Sequence, residues 1–193
     1  MSPTFSFETE RPEAIICDLD GTLCDVSRIR YLVERPAIGK GFKPNFDQFH
    51  ASSIDCPAYP EVTSLLKRAR RSGLAILIVT GREEKWSFLT STWLREKNIA
   101  YDELLMRRAK DYRPDAEIKA EIAIELSARF DARIAIDDRR SLIDTWKSAG
   151  IAAAIVSDRG EVGPIEWPLG INADPLLQAI VYQERDSRVQ RRE

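Results

Sequence analysis

Short apolar runs alternate with stretches of helical periodicity along this chain, and this alternation limits the possible folds more than any other feature. The five runs are rich in apolar and β-branched residues and cover residues 14–17, 74–80, 104–107, 133–136 and 151–156. The stretches with helical spacing cover residues 61–72, 83–97, 115–130 and 140–149. Strands joined by helices run parallel, with right-handed crossovers. The sequence therefore predicts an α/β fold built on a three-layer, Rossmann-like parallel sheet.

The length of the chain suits one domain with a sizeable core. It has 193 residues, of which 44% are hydrophobic, and we predict a single domain over residues 1–182. Residues 183–193 mix four arginines with three acids and are predicted to form a charged tail. Residues 24–60 break the helix and strand pattern over a length that is unusual for a connector. They are predicted to form a small cap inserted after the first strand.

Part of the cap segment has the composition of a surface that meets a polyanion. Residues 28–43 contain five basic residues against one acid, Glu34. The basic residues are Arg28, Arg30, Arg35, Lys40 and Lys43, and the nearby aromatic residues are Tyr31, Phe42, Phe46 and Phe49. Basic and aromatic residues together are typical of surfaces that bind single-stranded nucleic acid. The basic residues alone are equally well explained as a solvated face.

Net charge and cysteine usage restrict the setting in which the chain works. A net charge of -2 and a pI near 5.7 argue against a protein that coats duplex nucleic acid, so any nucleic-acid contact should be local. Cys17, Cys24 and Cys56 show no metal-binding spacing and follow no signal-like segment, which predicts a reduced, cytoplasmic location. No apolar run approaches the roughly 18 residues that span a bilayer, so we expect no membrane insertion.

Residues that can carry chemistry follow the predicted strands at the point where each strand ends. They are Asp18 and Asp20 after the first run, Thr80, Gly81 and Arg82 at the second, Asp137 and Asp138 after the fourth, and Lys119 near the start of a helix. Active sites of parallel sheets lie at this edge. Each feature alone has a structural explanation, because aspartates cap helices, Thr-Gly-Arg is an ordinary turn and Lys119 could pair with Asp115 at i,i+4. Their common place at one sheet edge favours a catalytic site.

Asp18 and Asp20 would point the same way from an extended strand, because side chains alternate between its two faces. Two carboxylates about 4 Å apart repel by roughly 4 kcal/mol at an effective dielectric near 20, so the pair needs a proton or a cation. Mg²⁺ prefers carboxylate and carbonyl oxygens. We predict a Mg²⁺ site formed by Asp18, the backbone carbonyl of Asp20, and Asp137 or Asp138.

The chemistry available to these residues is phosphoryl transfer. An aspartate can attack phosphorus and form an aspartyl-phosphate when a cation offsets the repulsion between the two anions, and Asp18 is the predicted nucleophile. Asp20 would protonate the leaving oxygen and later take a proton from the hydrolytic water. Thr80 would donate a hydrogen bond to the phosphoryl oxygens, and Lys119 would neutralise their charge. Asp138 would orient Lys119 or help to hold the metal.

These motifs resemble those of the haloacid dehalogenase superfamily of phosphohydrolases. Its four motifs correspond to DLDGT at 18–22, VTG at 79–81, Lys119 and IDD at 136–138, and the resemblance spans roughly residues 13–156. Within that superfamily the chain is most similar to the phosphatase domain of phage-type polynucleotide kinase-phosphatases. The closer match is carried by TGRE at 80–83, RPDAEIKAE at 113–121 and AIDDRRSLIDTWKSAGI at 135–151.

The resemblance implies an enzyme that removes 3'-phosphates from nucleic-acid ends, with Arg82 and Asp115 as further active-site residues. The essential arginine that such enzymes carry after DxDGT corresponds to Arg28 or Arg30. The sequence has no phosphate-cradling G-x-x-x-x-G-K-[ST] loop, so we expect no kinase activity from it, and a separate kinase or ligase is the implied partner. Residues 157–170 lie outside the resemblance and are expected to cover the sheet edge.

Other functions fit part of the pattern. A phospho-accepting receiver domain or an inactive binding module also carries aspartates, Thr and Lys on a parallel sheet, but a receiver lacks an acid two residues beyond its phosphorylated aspartate. Asp20 therefore favours hydrolysis. Within enzymes, the alternative is a phosphatase for small nucleotides or sugar phosphates, because a small cap restricts access little. The sequence specifies no oligomeric state.

Overall fold

The computed structural model describes residues 11–35 and 41–182, which form a six-stranded sheet with helices on both faces. The strands are β1 (Glu13–Cys17), β2 (Ala75–Glu83), β3 (Glu103–Arg107), β4 (Asp131–Asp137), β5 (Ala152–Val156) and β6 (Val162–Glu166). The α-helices are α1 (Phe46–Ser52), α2 (Pro60–Arg71), α3 (Ser87–Glu96), α4 (Asp115–Ser127), α5 (Arg140–Ser148) and α6 (Pro175–Tyr182). The strand order is β3-β2-β1-β4-β5-β6, parallel except for β6, which pairs antiparallel with β5. The predicted α/β fold is confirmed.

The two faces of the sheet pack against different helices. Side chains alternate along β1, so that Ile15 and Cys17 join a core with α2, α3 and α6, while Ala14 and Ile16 join a core with α4 and α5. A parallel sheet that is buried on both faces needs apolar residues on both, which explains the continuous apolar runs in the sequence. The helices packed on both faces hold the sheet, and with it the ends of the strands, at fixed positions.

Strand β6 is not predicted from the sequence. The prediction for residues 157–170 is only that they cover the sheet edge. The segment does so by backbone pairing, with Ala153 opposite Glu166 and Ala154 opposite Ile165. Gly163 and Pro164 hide this strand from sequence patterns, because both are rare in strand interiors. Proline is tolerated in an edge strand, where part of the backbone makes no ladder hydrogen bonds.

Strand β2 also differs, because it runs three residues past the predicted end. The pairing of β2 with β3 shifts register between Thr80 and Glu83, and Glu83 then pairs with Arg107. The Thr-Gly-Arg sequence therefore lies in an irregular strand end and not in an ordinary turn. This irregularity points Arg82 into the protein, where its side chain is buried.

The cap segment contains a helix that the sequence does not predict. Asn45 caps α1 with its Oδ1, which accepts a hydrogen bond from the backbone N–H of Gln48 at 3.0 Å. Phe49 on α1 is buried in the same core as α2 and α3, which ties the helix to the sheet. Lys40 and the predicted tail at 183–193 lie outside the described residues. Among the helices of residues 11–35 and 41–182, none is long and apolar enough to cross a membrane.

Candidate active site

The centre of the site lies where β1 and β4 end side by side. Cys17 pairs with Ile136 in the parallel ladder, so the following residues, Asp18 and Asp137, lie next to each other where the two strands end. Lys119 reaches both of them from α4. Its Nζ donates to Asp18 Oδ1 at 2.6 Å and to Asp137 Oδ2 at 2.7 Å. The predicted strand-end acids and the lysine thus form one buried ionic group.

Burial controls the electrostatics of this group. Burial raises the pKa of Asp18 to about 8, even though Lys119 acts to lower it. Burial would lower the pKa of Lys119, but the adjacent Asp18 and Asp137 outweigh it and raise that pKa above its ordinary value. Lys119 is therefore charged at neutral pH. Since an opposite charge favours the ionised form of a carboxyl, a further cation beside Asp18 would bring its pKa down again.

The acids of the site fit a divalent cation. Asp18, Asp137 and Asp138 each offer an oxygen, and these oxygens all lie within 4.8 Å of one another. Asp138 Oδ1 is buried and accepts no hydrogen bond from any residue in the described part of the chain. Burial, with Asp137 next, raises the pKa of Asp138, which shows that its charge is under-compensated. Convergent carboxylates with an unused oxygen are the donor set that Mg²⁺ prefers.

Asp20 does not turn its carboxylate toward this group of acids. Arg82 binds it with two hydrogen bonds, from Nε to Oδ2 at 2.8 Å and from Nη2 to Oδ1 at 2.5 Å. A third donor of the guanidinium, Nη1, bonds Thr90 Oγ1 on α3 at 3.2 Å. A metal contact from Asp20 would thus come from its backbone carbonyl, the atom that the sequence analysis assigns to it. In this geometry Arg82 orients Asp20.

The DLDGT loop packs closely against the acids because of its glycine. Gly21 has φ of +88° in the left-handed region, and a Cβ there would collide with the Asp138 carboxylate and lie 2.8 Å from Arg30 Nη2. Arg30 donates to Asp138 Oδ2 at 3.4 Å and to Glu34 Oε1 at 3.0 Å. Arg28 is exposed, and of the two arginines left open by the sequence it is Arg30 that lines the pocket.

Asp115 anchors two arginines beside the end of β2. Arg107 donates to Asp115 Oδ1 at 2.6 Å and to the carbonyl of Gly81 at 2.9 Å, and Arg139 also donates to Asp115. Burial would raise the pKa of Asp115, but Arg139 and the other neighbouring cations lower it below its ordinary value. Gly81 leaves room for this arrangement, since a Cβ there would lie 2.6 Å from Asp115 Oδ1. The i,i+4 pair of Asp115 with Lys119, considered as a structural explanation, is replaced by these contacts.

A pocket of about 540 Å³ connects the acids with the cap. Besides Asp18, Asp20, Asp138 and Thr80, its lining includes residues that the sequence did not indicate, among them Arg107, Arg139, His50 and Tyr112. Arg107 ends β3, so the same strand-end rule could have found it, and Arg139 directly follows the paired aspartates. His50 and Tyr112 lie in the cap and in a loop, where no sequence pattern marks them.

Comparison with known proteins identifies the family. The model of the polynucleotide kinase PNKP phosphatase domain matches residues 12–160. Two solved structures of a Pnkp1/Rnl/Hen1 complex, one of them described as an RNA repair complex, match 81% of this chain with 27% and 29% identity and TM-scores of 0.62 and 0.63. The chain spans about half the length of those two proteins, 47% and 50%.

More distant structures share the fold. The class C acid phosphatase from Bacillus anthracis with tungstate bound has 18% identity and a TM-score of 0.55, with 92% of this chain and 81% of that chain covered. A putative HAD-like phosphatase from Mesorhizobium loti has 16% identity and a TM-score of 0.56, with 89% and 87% covered. With most of its length matched by the family model, the chain belongs to the polynucleotide kinase PNKP phosphatase domain family and is a phosphatase of the haloacid dehalogenase superfamily.

Proposed function

We propose that the chain is a Mg²⁺-dependent phosphomonoester hydrolase that forms an aspartyl-phosphate on Asp18 and removes 3'-phosphates from nucleic-acid ends. The observation that carries the proposal is the position of Asp18. One of its oxygens is bound by the buried ammonium of Lys119, two further acids lie beside it, and the carboxylate lines the pocket. A fixed carboxylate at the inner end of a pocket suits attack on a bound phosphate ester.

The proposed reaction has two steps at one phosphorus atom. In the first, the Asp18 carboxylate bonds to phosphorus while the bond from phosphorus to the ester oxygen breaks, and Asp20 gives that oxygen its proton. In the second, water attacks the same phosphorus, Asp20 takes the proton, and Asp18 leaves as a carboxylate with release of phosphate. Arg82 holds both oxygens of Asp20, so Asp20 takes up a proton from solvent before the first transfer, and the hydrolytic water supplies a proton to it again in the second step.

The remaining residues bind and orient the phosphoryl group. Lys119 holds Asp18 in position and offsets negative charge on the phosphoryl oxygens. Thr80, buried at the end of β2, supplies a hydroxyl to those oxygens. Asp18, Asp137 and Asp138 would hold the Mg²⁺, whose charge offsets the repulsion between the nucleophile and the phosphate.

We expect Asp20→Asn to lower kcat by roughly 10²- to 10⁴-fold, the usual contribution of a general acid–base group. The loss should be larger on alkyl phosphates than on p-nitrophenyl phosphate, because p-nitrophenolate leaves without needing a proton. Steady-state phosphate release on both esters measures this difference. The matched control is Asp55→Asn, an exposed cap carboxylate whose removal should leave both rates unchanged. Because kcat also depends on the second step, which is the same for both esters, an equal loss in kcat/KM on the two esters is the result that would contradict the role of Asp20 as the acid.

The preference for a nucleic-acid end is supported by charge near the pocket and by the similar proteins. Arg30 lines the pocket, and Arg28, Arg35 and Lys43 are exposed on the cap, where they can meet neighbouring phosphates. The Pnkp1/Rnl/Hen1 complex, described as an RNA repair complex, supports an RNA or DNA end as the substrate and a separate kinase or ligase chain as the partner. A phosphatase for small nucleotides or sugar phosphates is the second candidate, because the pocket of about 540 Å³ would admit them whole.

The test is a substrate panel: a 3'-phosphorylated oligonucleotide, its 5'-phosphorylated isomer, glucose phosphate and p-nitrophenyl phosphate, each with Mg²⁺ and with excess chelator. We expect the highest kcat/KM on the 3'-phosphate, a decline of that value with rising salt, and no turnover in chelator. Arg28→Gln with Arg35→Gln should reduce the advantage of the oligonucleotide without altering the rate on p-nitrophenyl phosphate, since both side chains are exposed outside the catalytic group.

Two results would overturn parts of this proposal. Phosphate release that persists in chelator would remove the metal requirement. Equal kcat/KM across the panel would reject the nucleic-acid substrate and favour the small-molecule phosphatase. Thermal melting with and without Mg²⁺ gives a readout independent of turnover, because a cation held by the native state alone raises the melting temperature.

A further inference from the structure

An aromatic wall is formed by Phe46, Phe49, His50 and Trp86, of which the first three line the pocket. The His50 ring is central: its centroid lies 6.2 Å from that of Phe46, 5.3 Å from that of Phe49 and 5.7 Å from that of Trp86. Phe49 and His50 are buried. Packing therefore holds the wall in place before any ligand binds, so that little conformational entropy is lost when a ligand contacts it.

Phe46 is the outermost ring of the wall and stands at the mouth of the pocket. It is 56% exposed and lines the same pocket as Asp18. Tyr112, in the connection between β3 and α4, lines that pocket too and is 86% exposed. Phe46 and Tyr112 are thus two exposed rings in the lining of one pocket.

Exposure alone does not mark a binding site. Phe88 on α3 is 81% exposed, but the pocket lining does not include it among the described residues. Phe46 and Tyr112 differ from Phe88 because both of their exposed rings line the pocket that contains the proposed nucleophile, Asp18. Apolar surface left open at such a place indicates a ligand with an apolar face. Nucleobases stack on aromatic side chains with little preference for sequence.

We propose that Phe46 and Tyr112 form a stacking subsite for the base of the 3'-terminal nucleotide, whose phosphate lies at Asp18. This inference rests on the proposed function, since it assigns a subsite to the nucleic-acid substrate. The pocket of about 540 Å³ has the size of a site for one small ligand, which suits the terminal nucleotide better than several nucleotides. The base and the phosphate of that nucleotide are attached to one sugar, so both can occupy one pocket.

The test compares two 3'-phosphorylated oligonucleotides that differ only at the last position, one with a base and one with an abasic sugar. We measure kcat/KM of the wild-type chain, Phe46→Ala, Tyr112→Ala and the control Phe88→Ala on both. The wild type and Phe88→Ala should favour the base-bearing substrate by roughly 5- to 100-fold, the effect expected of one base–aromatic stack. In Phe46→Ala and Tyr112→Ala the ratio of kcat/KM on the base-bearing substrate to kcat/KM on the abasic one should fall toward one. Phe46→Tyr and Tyr112→Phe keep an aromatic ring and should keep the wild-type ratio.

The outcomes separate this inference from the proposed function. The wild type could prefer oligonucleotides to glucose phosphate and yet show the same kcat/KM on the abasic end and on the normal end. That result would reject the subsite and leave the proposed function standing. A wild-type preference for the base that survives both alanine substitutions would also reject these two rings as the subsite. If the wild type shows no preference for either oligonucleotide over glucose phosphate, the proposed function itself fails. An abasic sugar at the penultimate position should leave the rate near that of the intact substrate, and a loss there equal to the terminal one would contradict the assignment to the terminal base.

Discussion

Asp18→Asn should lower turnover by a factor on the order of 10⁵ or more, the scale of loss seen when a covalent nucleophile is removed. An amide is a poor nucleophile, and it carries no charge for a metal to bind. The fold should survive, because the Asn carbonyl can still accept the hydrogen bond of Lys119, and Lys119 keeps Asp137 as its partner at 2.7 Å. Turnover and thermal melting are measured on the same samples.

The covalent step has its own readout. Acid quenching of the wild-type chain with a substrate labelled on phosphorus should trap label on the protein, released by hydroxylamine as expected for an acyl phosphate. Asp18→Asn should trap none. Asp144→Asn, which removes an exposed carboxylate paired with Arg140 on α5, serves as the control and should behave like the wild type. Turnover of Asp18→Asn within tenfold of the wild type would mean that water attacks the ester directly.

The sequence predicts the placement of the strand-end acids well because that placement follows from where the strands end. Parallel strands end at one edge, and β1 and β4 are neighbours in the sheet, so residues 18 and 137 must come together once the fold is correct. Lys119 is found by its motif and not by geometry, because helix periodicity alone allows it to face Asp115. The structure shows that it faces the strand ends.

Other parts of the site depend on contacts that no local pattern reveals. The pairing of Arg82 with Asp20 depends on the irregular end of β2, whose register shifts between Thr80 and Glu83. His50 and Phe46 belong to a helix of seven residues in the cap, which is too short to show a clear periodicity. Tyr112 lies in a loop. The composition of the cap segment indicates Phe46, whereas His50 and Tyr112, which line the same pocket, carry no sequence signal.

The two adjacent aspartates after β4 have different partners, which the sequence leaves open. By its motif alone, Asp138 could either orient Lys119 or help to hold the metal. In the structure it is Asp137 that accepts from Lys119, whereas Asp138 accepts from Arg30 and keeps one oxygen without a donor among the described residues. Asp137 therefore positions the lysine, and the Asp138 oxygen that accepts no hydrogen bond would be available to the proposed cation.

Lys119→Met is expected to have the largest effect on stability. The side chain is 1% exposed and lies between Asp18 and Asp137, so methionine would leave two buried carboxylates without their cation. Removing one partner of a buried ion pair costs about 3–5 kcal/mol of unfolding free energy. For a chain of this length that corresponds to a fall in melting temperature of roughly 6–20 °C. Lys147→Met is the control, because Lys147 is partly exposed, pairs with Glu166 and should lose about 0–1 kcal/mol.

A second substitution separates the structural part of Lys119 from its part in catalysis. Adding Asp137→Asn to Lys119→Met removes one of the two repelling carboxylates, so the double variant should regain part of the lost melting temperature. The part in catalysis is measured on Lys119→Met alone, below its melting transition, because Asp137→Asn also removes a proposed Mg²⁺ ligand. Turnover of Lys119→Met should be roughly 10²- to 10³-fold below that of the wild type, the typical effect of losing one charge-stabilising donor. If turnover of Lys119→Met were near the wild-type rate wherever the chain is folded, Lys119 would be a structural cation only. If the double variant were no more stable than Lys119→Met, repulsion between Asp18 and Asp137 would not be what Lys119 relieves.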